Sequence, residues 1–183
     1  KAITAGLRDA MTSDDKVLLM GEDIGTLGGV FRITDGLLSG VRATADAAGA
    51  SLDVIEVPGA LEIPTAVGLA ARSGQYDGFV ALGCVIRGET THYDTVCNDS
   101  SRAITLLGLQ GHCIGNGILT VENFTQAQVR AEVEGQNKGG GAAAAALHLI
   151  ALKRGWESRP ASEAAGKPDV IRLAGELEGQ RGA

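Results

Sequence analysis

Short apolar runs alternate with helix-forming segments along most of the chain. Four runs have the length of buried strands, at residues 16–20, 52–57, 76–86 and 117–121. Five segments carry helix signals, at residues 34–48, 61–73, 91–109, 125–132 and 140–154. Strands that alternate with helices imply a parallel sheet with helices on both faces. The pattern therefore predicts an α/β protein.

Glycine and capping residues are predicted to set the ends of several helices. Gly49 and Gly155 each follow a helical segment, where glycine commonly ends a helix. Thr125 and Gln128 have the spacing of a capping box, which predicts that a helix begins at Thr125. Pro64 is compatible with its helix because it falls in the first turn.

Composition limits the class of protein and its partners. The 183 residues are 44% hydrophobic with a formal net charge of −6, which fits one domain of ordinary size. No Lys/Arg cluster is present, so we expect neither nucleic acid nor an anionic membrane as partner, and no apolar run approaches the roughly 18 residues of a membrane span. The three cysteines lack a C-x-x-C pair and the three histidines are scattered, so no metal site is expected. No charged-then-apolar segment opens the chain, and we expect a cytoplasmic protein.

Polar and small residues follow three of the predicted strands, where open α/β sheets bind their ligands. These segments are 58–62 (PGALE), 87–92 (RGETTH) and 122–123 (EN). Gly88 and Thr90 at a helix start suit an anion, and the adjacent His92 suits proton transfer near neutral pH. The alternative is a helix capped by Thr90 or Thr91 with an exposed histidine, and the spacing alone leaves both interpretations open.

Three further residues are ambiguous by themselves. Arg130 lies about two helical turns after the fourth strand, but an arginine on a helix face is usually solvated. Glu62 falls in a first helical turn, where a carboxylate also simply complements the helix dipole. Lys138 belongs to a glycine-rich segment, NKGGG, that could form a phosphate loop but lacks the Walker pattern. No G-x-G-x-x-G pattern follows a strand, so a dinucleotide cofactor is not expected.

Five motifs in order resemble the lumazine synthase family, which catalyses the penultimate step of riboflavin synthesis. They are VPGALEIP (57–64), YDGFVALGCVIRGETTHYD (76–94), IGNGILTVEN (114–123), QAQVRA (126–131) and NKGGGAAAAAL (137–147). The resemblance covers about residues 37–156. It implies a flavodoxin-like, three-layer αβα fold with a four-stranded parallel sheet.

The resemblance also implies a reaction and an assembly. The family condenses 5-amino-6-(D-ribitylamino)uracil with 3,4-dihydroxy-2-butanone 4-phosphate. Schiff-base formation, phosphate elimination and ring closure then yield 6,7-dimethyl-8-ribityllumazine, without a cofactor or metal. Members are homo-oligomers, pentamers or multiples of pentamers, with active sites between subunits. We therefore expect an oligomeric transferase that acts on two small molecules.

The family's functional residues correspond to positions of this chain in two groups. In the first group, His92 matches the proton-transfer histidine, and the backbone of Gly88, Glu89 and Thr90 matches the phosphate cradle. Arg130 matches an arginine that binds the same phosphate from a neighbouring subunit. Lys138 matches a lysine near that phosphate.

The second group surrounds the pyrimidine. The residues that match its contacts and those of the ribityl group are Ala60, Glu62, Val85 and Ile86. Asn116 occupies a position, aromatic in many members, that closes the site from the next subunit. Phe31 is the nearest aromatic residue for stacking on the pyrimidine, although an ungapped count places Gly29 at that position.

Residues 1–36 depart from the family pattern. They resemble the start of the beta subunit of a thiamine-diphosphate-dependent 2-oxo-acid dehydrogenase, without the later segment that carries its cofactor-activating glutamate. Residues 16–20 could still supply the first strand, since that position demands only a short aliphatic run. Residues 157–183 are predicted to be a flexible tail beyond the lumazine synthase domain.

Three functional hypotheses follow from these features. The leading one is a lumazine synthase in which His92 is the general acid and base. The second is a catalytically impaired assembly, or a flavin-type ligand binder, with the same fold; the altered first strand and Gly29 favour it. The third, a docking fragment of a dehydrogenase complex, accounts only for residues 1–36.

Overall fold

The computed structural model describes residues 16–22 and 33–158. The strands of this part are β1 (Lys16–Glu22), β2 (Ser51–Val57), β3 (Gly78–Ile86) and β4 (Cys113–Val121). The helices are α1 (Ile33–Ala48), α2 (Ile63–Ser73), α3 (His92–Leu109), α4 (Phe124–Ala131) and α5 (Lys138–Glu157). Phe31, most of the dehydrogenase-like segment and nearly all of the predicted tail lie outside the described residues.

The chain divides into two compact units. The first, Lys1–Ala151, contains the sheet and all the helices except the end of α5. The second, Leu152–Ala183, begins with the last turns of α5, which are its described part.

All strand pairs in the sheet are parallel, and the strand order is β2-β1-β3-β4. β1 lies between two neighbours, with Leu19 opposite Val54 of β2 and opposite Val80 of β3. Residues 16–20 are therefore a strand, as predicted, and the pairing continues to Glu22. Parallel neighbours require crossover connections, which helices supply here. The α/β class and the parallel strands predicted from the sequence are confirmed.

β3 is buried on both faces. Val80 and Leu82 point into a core cluster formed with α1, α4 and α5. Phe79 and Ala81, which alternate with them, point into a second cluster formed with α2 and α3. Side chains on a strand alternate between its two faces, so a strand covered on both sides needs an uninterrupted apolar run. The sequence GFVALGCVI of β3 meets this requirement.

Close backbone contacts fix the position of α5. A Cβ on Gly115 of β4 would overlap the carbonyl oxygen of Ala142, and a Cβ on Gly139 would overlap the carbonyl oxygen of Leu37 in α1. The start of α5 therefore lies directly against a strand and a second helix. Gly141, one turn into the same helix, has no atom within 4 Å of a Cβ position.

The helix α4 does not begin where the sequence predicted. Its N-cap is Asn123, whose Oδ1 accepts a hydrogen bond from the Gln126 N–H at 3.0 Å. The Gln126 side chain in turn accepts from the Glu122 N–H at 3.0 Å, so Asn123 and Gln126 form a variant of the capping box in which the return bond goes to the residue before the N-cap. The prediction of a start at Thr125 is wrong because asparagine at residue 123 provides the same capping chemistry two residues earlier.

Two other predicted boundaries are also wrong. β4 begins at Cys113 rather than at residue 117, because its first half pairs with β3 although Gly115 and Asn116 have low strand propensity. α5 begins at Lys138, where the Asn137 Oδ1 accepts from the Gly140 N–H at 3.1 Å, and it continues past Gly155 to Glu157. The NKGGG segment is thus the first turn of a helix and not a phosphate loop.

One carboxylate is buried in the sheet layer. Asp53 of β2 accepts a hydrogen bond from the Tyr76 hydroxyl at 3.2 Å, and the Tyr76 ring packs against Phe79 with centroids 6.2 Å apart. Burial, followed by the charge of Asp53, raises the pKa of Tyr76 above its ordinary value of 10.0. The phenol therefore keeps its proton and remains a donor to Asp53.

The substitution Gly139→Ala tests the backbone contact between α5 and α1. We expect it to lower the free energy of unfolding by about 1–3 kcal/mol, because the new methyl group displaces the Leu37 backbone. Gly141→Ala is the matched control in the same helix; it should raise stability by up to about 1 kcal/mol, since alanine favours helix. Urea denaturation at a fixed protein concentration measures both, and equal effects of the two substitutions would contradict the packing described here.

The substitution Tyr76→Phe tests the bond to Asp53. Loss of this hydrogen bond should lower the free energy of unfolding by about 1–3 kcal/mol at neutral pH, because the buried Asp53 carboxylate loses a donor. The folded state holds the Tyr76 proton more tightly than the unfolded chain, so this stabilisation is fully present below about pH 10 and is lost as the pH rises through the folded-state pKa. The difference in unfolding free energy between wild type and Tyr76→Phe should therefore shrink in alkaline buffer, and a constant difference would argue against the bond.

Candidate functional site

A cavity of about 550 Å³ opens at the carboxyl end of β3, in the first compact unit. The end of β3, the loop after β2 and the first two turns of α3 form its walls. The residues that line it are Gly59, Ala60, Leu61, Glu62, Cys84, Val85, Ile86, His92 and Val96. Its position is the one predicted for a ligand site in an open parallel sheet.

β3 extends beyond its neighbour β1 at this end of the sheet. The last pair between these strands joins Gly21 to Leu82, whereas pairing with β4 continues to Ile86 and Val121. Residues 83–86 therefore have one backbone edge that no described strand pairs. Backbone N–H and C=O groups are strong hydrogen-bonding groups. Successive residues of a parallel strand direct their main-chain groups to opposite edges, and the Arg87 N–H donates to the Val121 carbonyl of β4 at 2.9 Å, so the main chain of Val85 also faces β4. Ile86 therefore offers its main-chain donor and acceptor to a molecule in the cavity, whereas the main chain of Val85, contrary to the prediction, does not.

The loop after β2 brings a carboxylate to the cavity. The Glu62 N–H donates to the Gly59 carbonyl at 3.1 Å, and Ala60 within this turn is buried. The Glu62 carboxylate lies over Gly59, where a Cβ would come within 2.7 Å of Oε2. Glu62 is the N-cap residue of α2, but its side chain makes no capping hydrogen bond. Its oxygens are therefore available to a polar ligand.

The start of α3 presents unbonded backbone N–H groups beside His92. Within the described part of the chain, the backbone N–H groups of residues 88–93 have no acceptor. The next N–H, that of Asp94, donates to the Thr91 carbonyl at 3.0 Å. Thr91 is the N-cap residue, but its side chain makes no capping bond. The Thr91 side chain therefore does not cap this helix, contrary to the alternative interpretation. A helix N-terminus with free N–H groups favours an anion.

His92 is exposed and lines the cavity together with Val96. The two residues are four positions apart, so they share one face of α3. Tyr93 and Cys97 have the same spacing and lie on a neighbouring face. Burial, followed by a hydrogen bond with Cys97, raises the pKa of Tyr93 above its ordinary value.

Arg87 connects three elements next to the cavity. Its Nε donates to Glu122 Oε2 at 2.8 Å, and its Nη1 and Nη2 both lie 3.4 Å from Asp94 Oδ1. Its guanidinium carbon lies 4.0 Å from the centre of the Tyr93 ring. Hydrogen bonding to Asp94, and then to Glu122, raises the pKa of Arg87, so the group stays charged. The residue pattern alone does not indicate a function for Arg87.

Three of the predicted site residues lie away from this cavity. Asn116 is exposed on β4, and its Oδ1 accepts from the Ile118 N–H at 3.0 Å. Arg130 lies on α4, on the opposite face of the sheet from α3, and its Nη1 donates to the Gln126 carbonyl at 3.0 Å. Lys138 is exposed in the first turn of α5. A single chain therefore does not bring these residues to His92.

The cavity unites part of the predicted set. Its predicted members are Ala60, Glu62, Val85, Ile86 and His92. Gly88, Glu89 and Thr90 are exposed in the loop before α3, outside the lining. The lining residues that sequence analysis did not assign to a site are Gly59, Leu61, Cys84 and Val96. Val96 could have been predicted as a lining residue from its position one helical turn after His92.

Residues 16–22 and 33–158 contain neither a candidate metal site nor a candidate membrane-spanning helix. No group of three or more His, Cys, Asp or Glu side chains there is arranged to hold a metal ion. No helix in the same part of the chain has the length and apolar character needed to cross a bilayer.

Comparison with known proteins identifies the family. The family model for 6,7-dimethyl-8-ribityllumazine synthase matches residues 29–154. A relative of that name from Jannaschia sp. (strain CCS1) is 60% identical over 124 residues, which cover 68% of this chain and 70% of the relative. One from Sphingopyxis alaskensis is 56% identical over 66% of this chain and 86% of its own length. One from Methylorubrum populi is 53% identical over 70% of this chain and 80% of its own length.

The matched range contains every residue that lines the cavity. It also contains Asn116, Arg130 and Lys138, which lie elsewhere in the same chain. With a family model that spans well over half of its residues, this chain belongs to the 6,7-dimethyl-8-ribityllumazine synthase family.

Proposed function

We propose that His92 is the proton-transfer group of this enzyme of riboflavin biosynthesis. The family to which it belongs is a transferase that forms 6,7-dimethyl-8-ribityllumazine. The observation that carries the proposal is the position of His92 in the cavity lining, at the start of a helix whose first N–H groups have no acceptor among the described residues. Schiff-base formation, phosphate loss and ring closure each move protons, and an exposed imidazole suits both donation and acceptance near neutral pH.

The start of α3 is the proposed phosphate site. The backbone of Gly88, Glu89 and Thr90 is exposed next to His92, and its N–H groups point to no acceptor within the described residues. The partial positive charge at a helix N-terminus stabilises a phosphate ester there and the inorganic phosphate that leaves. No metal or cofactor is needed for this step, because the charge stabilisation comes from backbone dipoles and from arginine.

The end of β3 and the loop after β2 are the proposed pyrimidine and ribityl site. Ile86 presents its main-chain N–H and C=O on an edge that no described strand pairs, which suits the donors and acceptors on the edge of a uracil ring, and Val85 lines the cavity with its side chain. Ala60 and Glu62 line the same cavity, and the Glu62 carboxylate can accept hydrogen bonds from ribityl hydroxyls. Phe31, the proposed stacking residue, lies outside the described residues.

The complete site is proposed to form between two subunits of a homopentamer, or of a multiple of pentamers. The support is that Arg130, Lys138 and Asn116, which match residues that act at the phosphate and the ring in the family, lie away from the cavity of their own chain. α2 and α3 also expose large apolar side chains, with Leu69 59% and Leu109 80% accessible, as expected for surfaces that a second copy covers. The family's small-molecule substrates would then bind between a His92 and a neighbour's Arg130.

The remaining parts of the proposal concern architecture and location. The strand order β2-β1-β3-β4 supports a flavodoxin-like, three-layer fold in which residues 37–156 form the lumazine synthase domain. Residues 16–20 supply its first strand, and residues 157–183 follow it as a tail. We also propose a cytoplasmic location, because the cysteine spacing is not that of a disulfide framework.

The substitution His92→Ala should lower kcat by about 10²–10⁴-fold, the range typical of a lost general acid or base. Assembly should not change, since His92 is exposed in each chain. Product formation is followed at the absorbance band of the lumazine, with light scattering to measure the assembly. His148→Ala, an exposed histidine on α5, is the control. A His92→Ala enzyme with unaltered kcat would remove His92 from the proposed role, and binding of substrates without turnover by the wild type would favour the impaired assembly.

The substitution Arg130→Ala should raise KM for the phosphate-bearing substrate far more than KM for the pyrimidine, because the lost group binds only the phosphate. Arg42→Ala, an exposed arginine on α1, is the control. Equal losses for both substrates would point to misfolding.

Mixed assemblies test whether His92 and Arg130 belong to different subunits of one site. His92→Ala and Arg130→Ala chains, denatured together and reassembled, should recover activity that neither has alone. Random mixing in a ring gives about one intact site in four. If the mixture stays as inactive as the separate variants, the two residues do not meet across a subunit boundary.

A further inference from the structure

The loop that leads into α3 has little that fixes its position. Residues 88–91 are all exposed, and a Cβ on Gly88 would meet no atom within 4 Å. Thr91 provides no side-chain cap. Yet a proton-transfer group loses much of its effect when it is displaced by about 1 Å. Some other contact must therefore hold the first turn of α3 and His92 against the cavity.

Arg87 provides contacts on both sides of this loop. Its backbone N–H donates to the Val121 carbonyl at 2.9 Å, which extends the pairing of β3 and β4 by one residue. Its side chain binds Glu122, the first residue after β4, and reaches Asp94 in the first turn of α3. It also lies over the ring of Tyr93, the residue next to His92.

The far end of this contact set is itself anchored. The Glu122 N–H donates to Gln126 Oε1 at 3.0 Å, within the capping box of α4. Arg87 therefore links the first turn of α3 to the rigid junction of β4 and α4. A planar guanidinium with several fixed donors suits such a link, because it can contact two carboxylates and an aromatic face at once.

We propose that Arg87 is a positioning residue of this enzyme, which holds the first turn of α3, and with it His92, at the cavity. The proposal rests on the proposed role of His92. It differs from a role as a phosphate ligand, because Nε, Nη1 and Nη2 of Arg87 already face Glu122 and Asp94. These two carboxylates also offset the guanidinium charge where a phosphate would bind.

The first experiment measures steady-state kinetics of Arg87→Ala and Arg87→Lys. We expect Arg87→Ala to lower kcat by about 10–100-fold, the scale of a displaced catalytic group, with a smaller change in KM for the pyrimidine. Arg87→Lys should recover part of the loss, since a lysine reaches one carboxylate but cannot form the fork. Arg102→Ala, which removes an exposed arginine of α3, is the control and should behave as wild type.

The carboxylate partners separate positioning from direct phosphate binding. Under the proposal, Asp94→Asn and Glu122→Gln each lower kcat, and their effects in combination with Arg87→Ala are less than additive. If Arg87 binds phosphate directly, removal of either carboxylate frees its donors and lowers KM for the phosphate substrate. That result would overturn the proposal. If Arg87→Ala does not assemble, Asp94→Asn and Glu122→Gln still test the proposal.

The outcomes distinguish this inference from the proposed function. Wild-type kinetics of Arg87→Ala, together with a large loss in His92→Ala, would refute the positioning role and leave the role of His92 intact. Unaltered turnover of His92→Ala would refute the role of His92 itself. A loss of thermal stability in Arg87→Ala without a change in kcat would show that its contacts serve only the fold.

Discussion

Val80 and Leu82 on one face of β3, and Phe79 and Ala81 on the other, all contact helices. A strand buried on both faces has no exposed surface except its two ends. Because the sheet is parallel, the carboxyl end of β3 lies beside those of its neighbours, and there β3 extends beyond β1, so that no described strand pairs with one edge of its last residues. The same burial that stabilises the core thus determines where a ligand can reach the backbone of this strand.

Backbone packing on the other side of the sheet explains why Arg130 and Lys138 lie away from the cavity of their own chain. Gly115 and Gly139 allow α5 to lie directly against β4 and α1, so Lys138 begins a helix on that face. α4 packs in the same layer through Ala127 and Ala131, which carries Arg130 away from the layer of α3. Such close packing leaves little room for either helix to move, so under the proposed function a second copy supplies these groups to His92.

The sequence predicted those features that depend on nearby residues. The apolar run of β3 and the spacing of Leu37, Val41 and Ala45 in α1 predicted buried elements that the structure contains. The start of β4 at Cys113 depends instead on pairing with β3, for which the sequence has no local signal. The start of α5 at Lys138 does have a local signal, the capping residue Asn137, which the prediction of a start at residue 140 overlooked. The same holds at the site: His92 and Glu62 follow strand ends and were identified, whereas the Arg87 contacts join residues 87, 94 and 122, which only the fold brings together.

The junction between β4 and α4 acquires two roles in the proposed assembly. Glu122 binds Arg87 and thereby supports the turn that carries His92, while Gln126 of the same capping box accepts from Arg130 through its carbonyl. His92 and Arg130 of one chain would serve two different active sites, on either side of that subunit. The capping residues of α4 would then influence the geometry of both active sites, because the contacts of Glu122 and those of Arg130 meet at Gln126. In the proposed assembly the asparagine cap of this helix, Asn123, would therefore carry a functional constraint as well as a structural one.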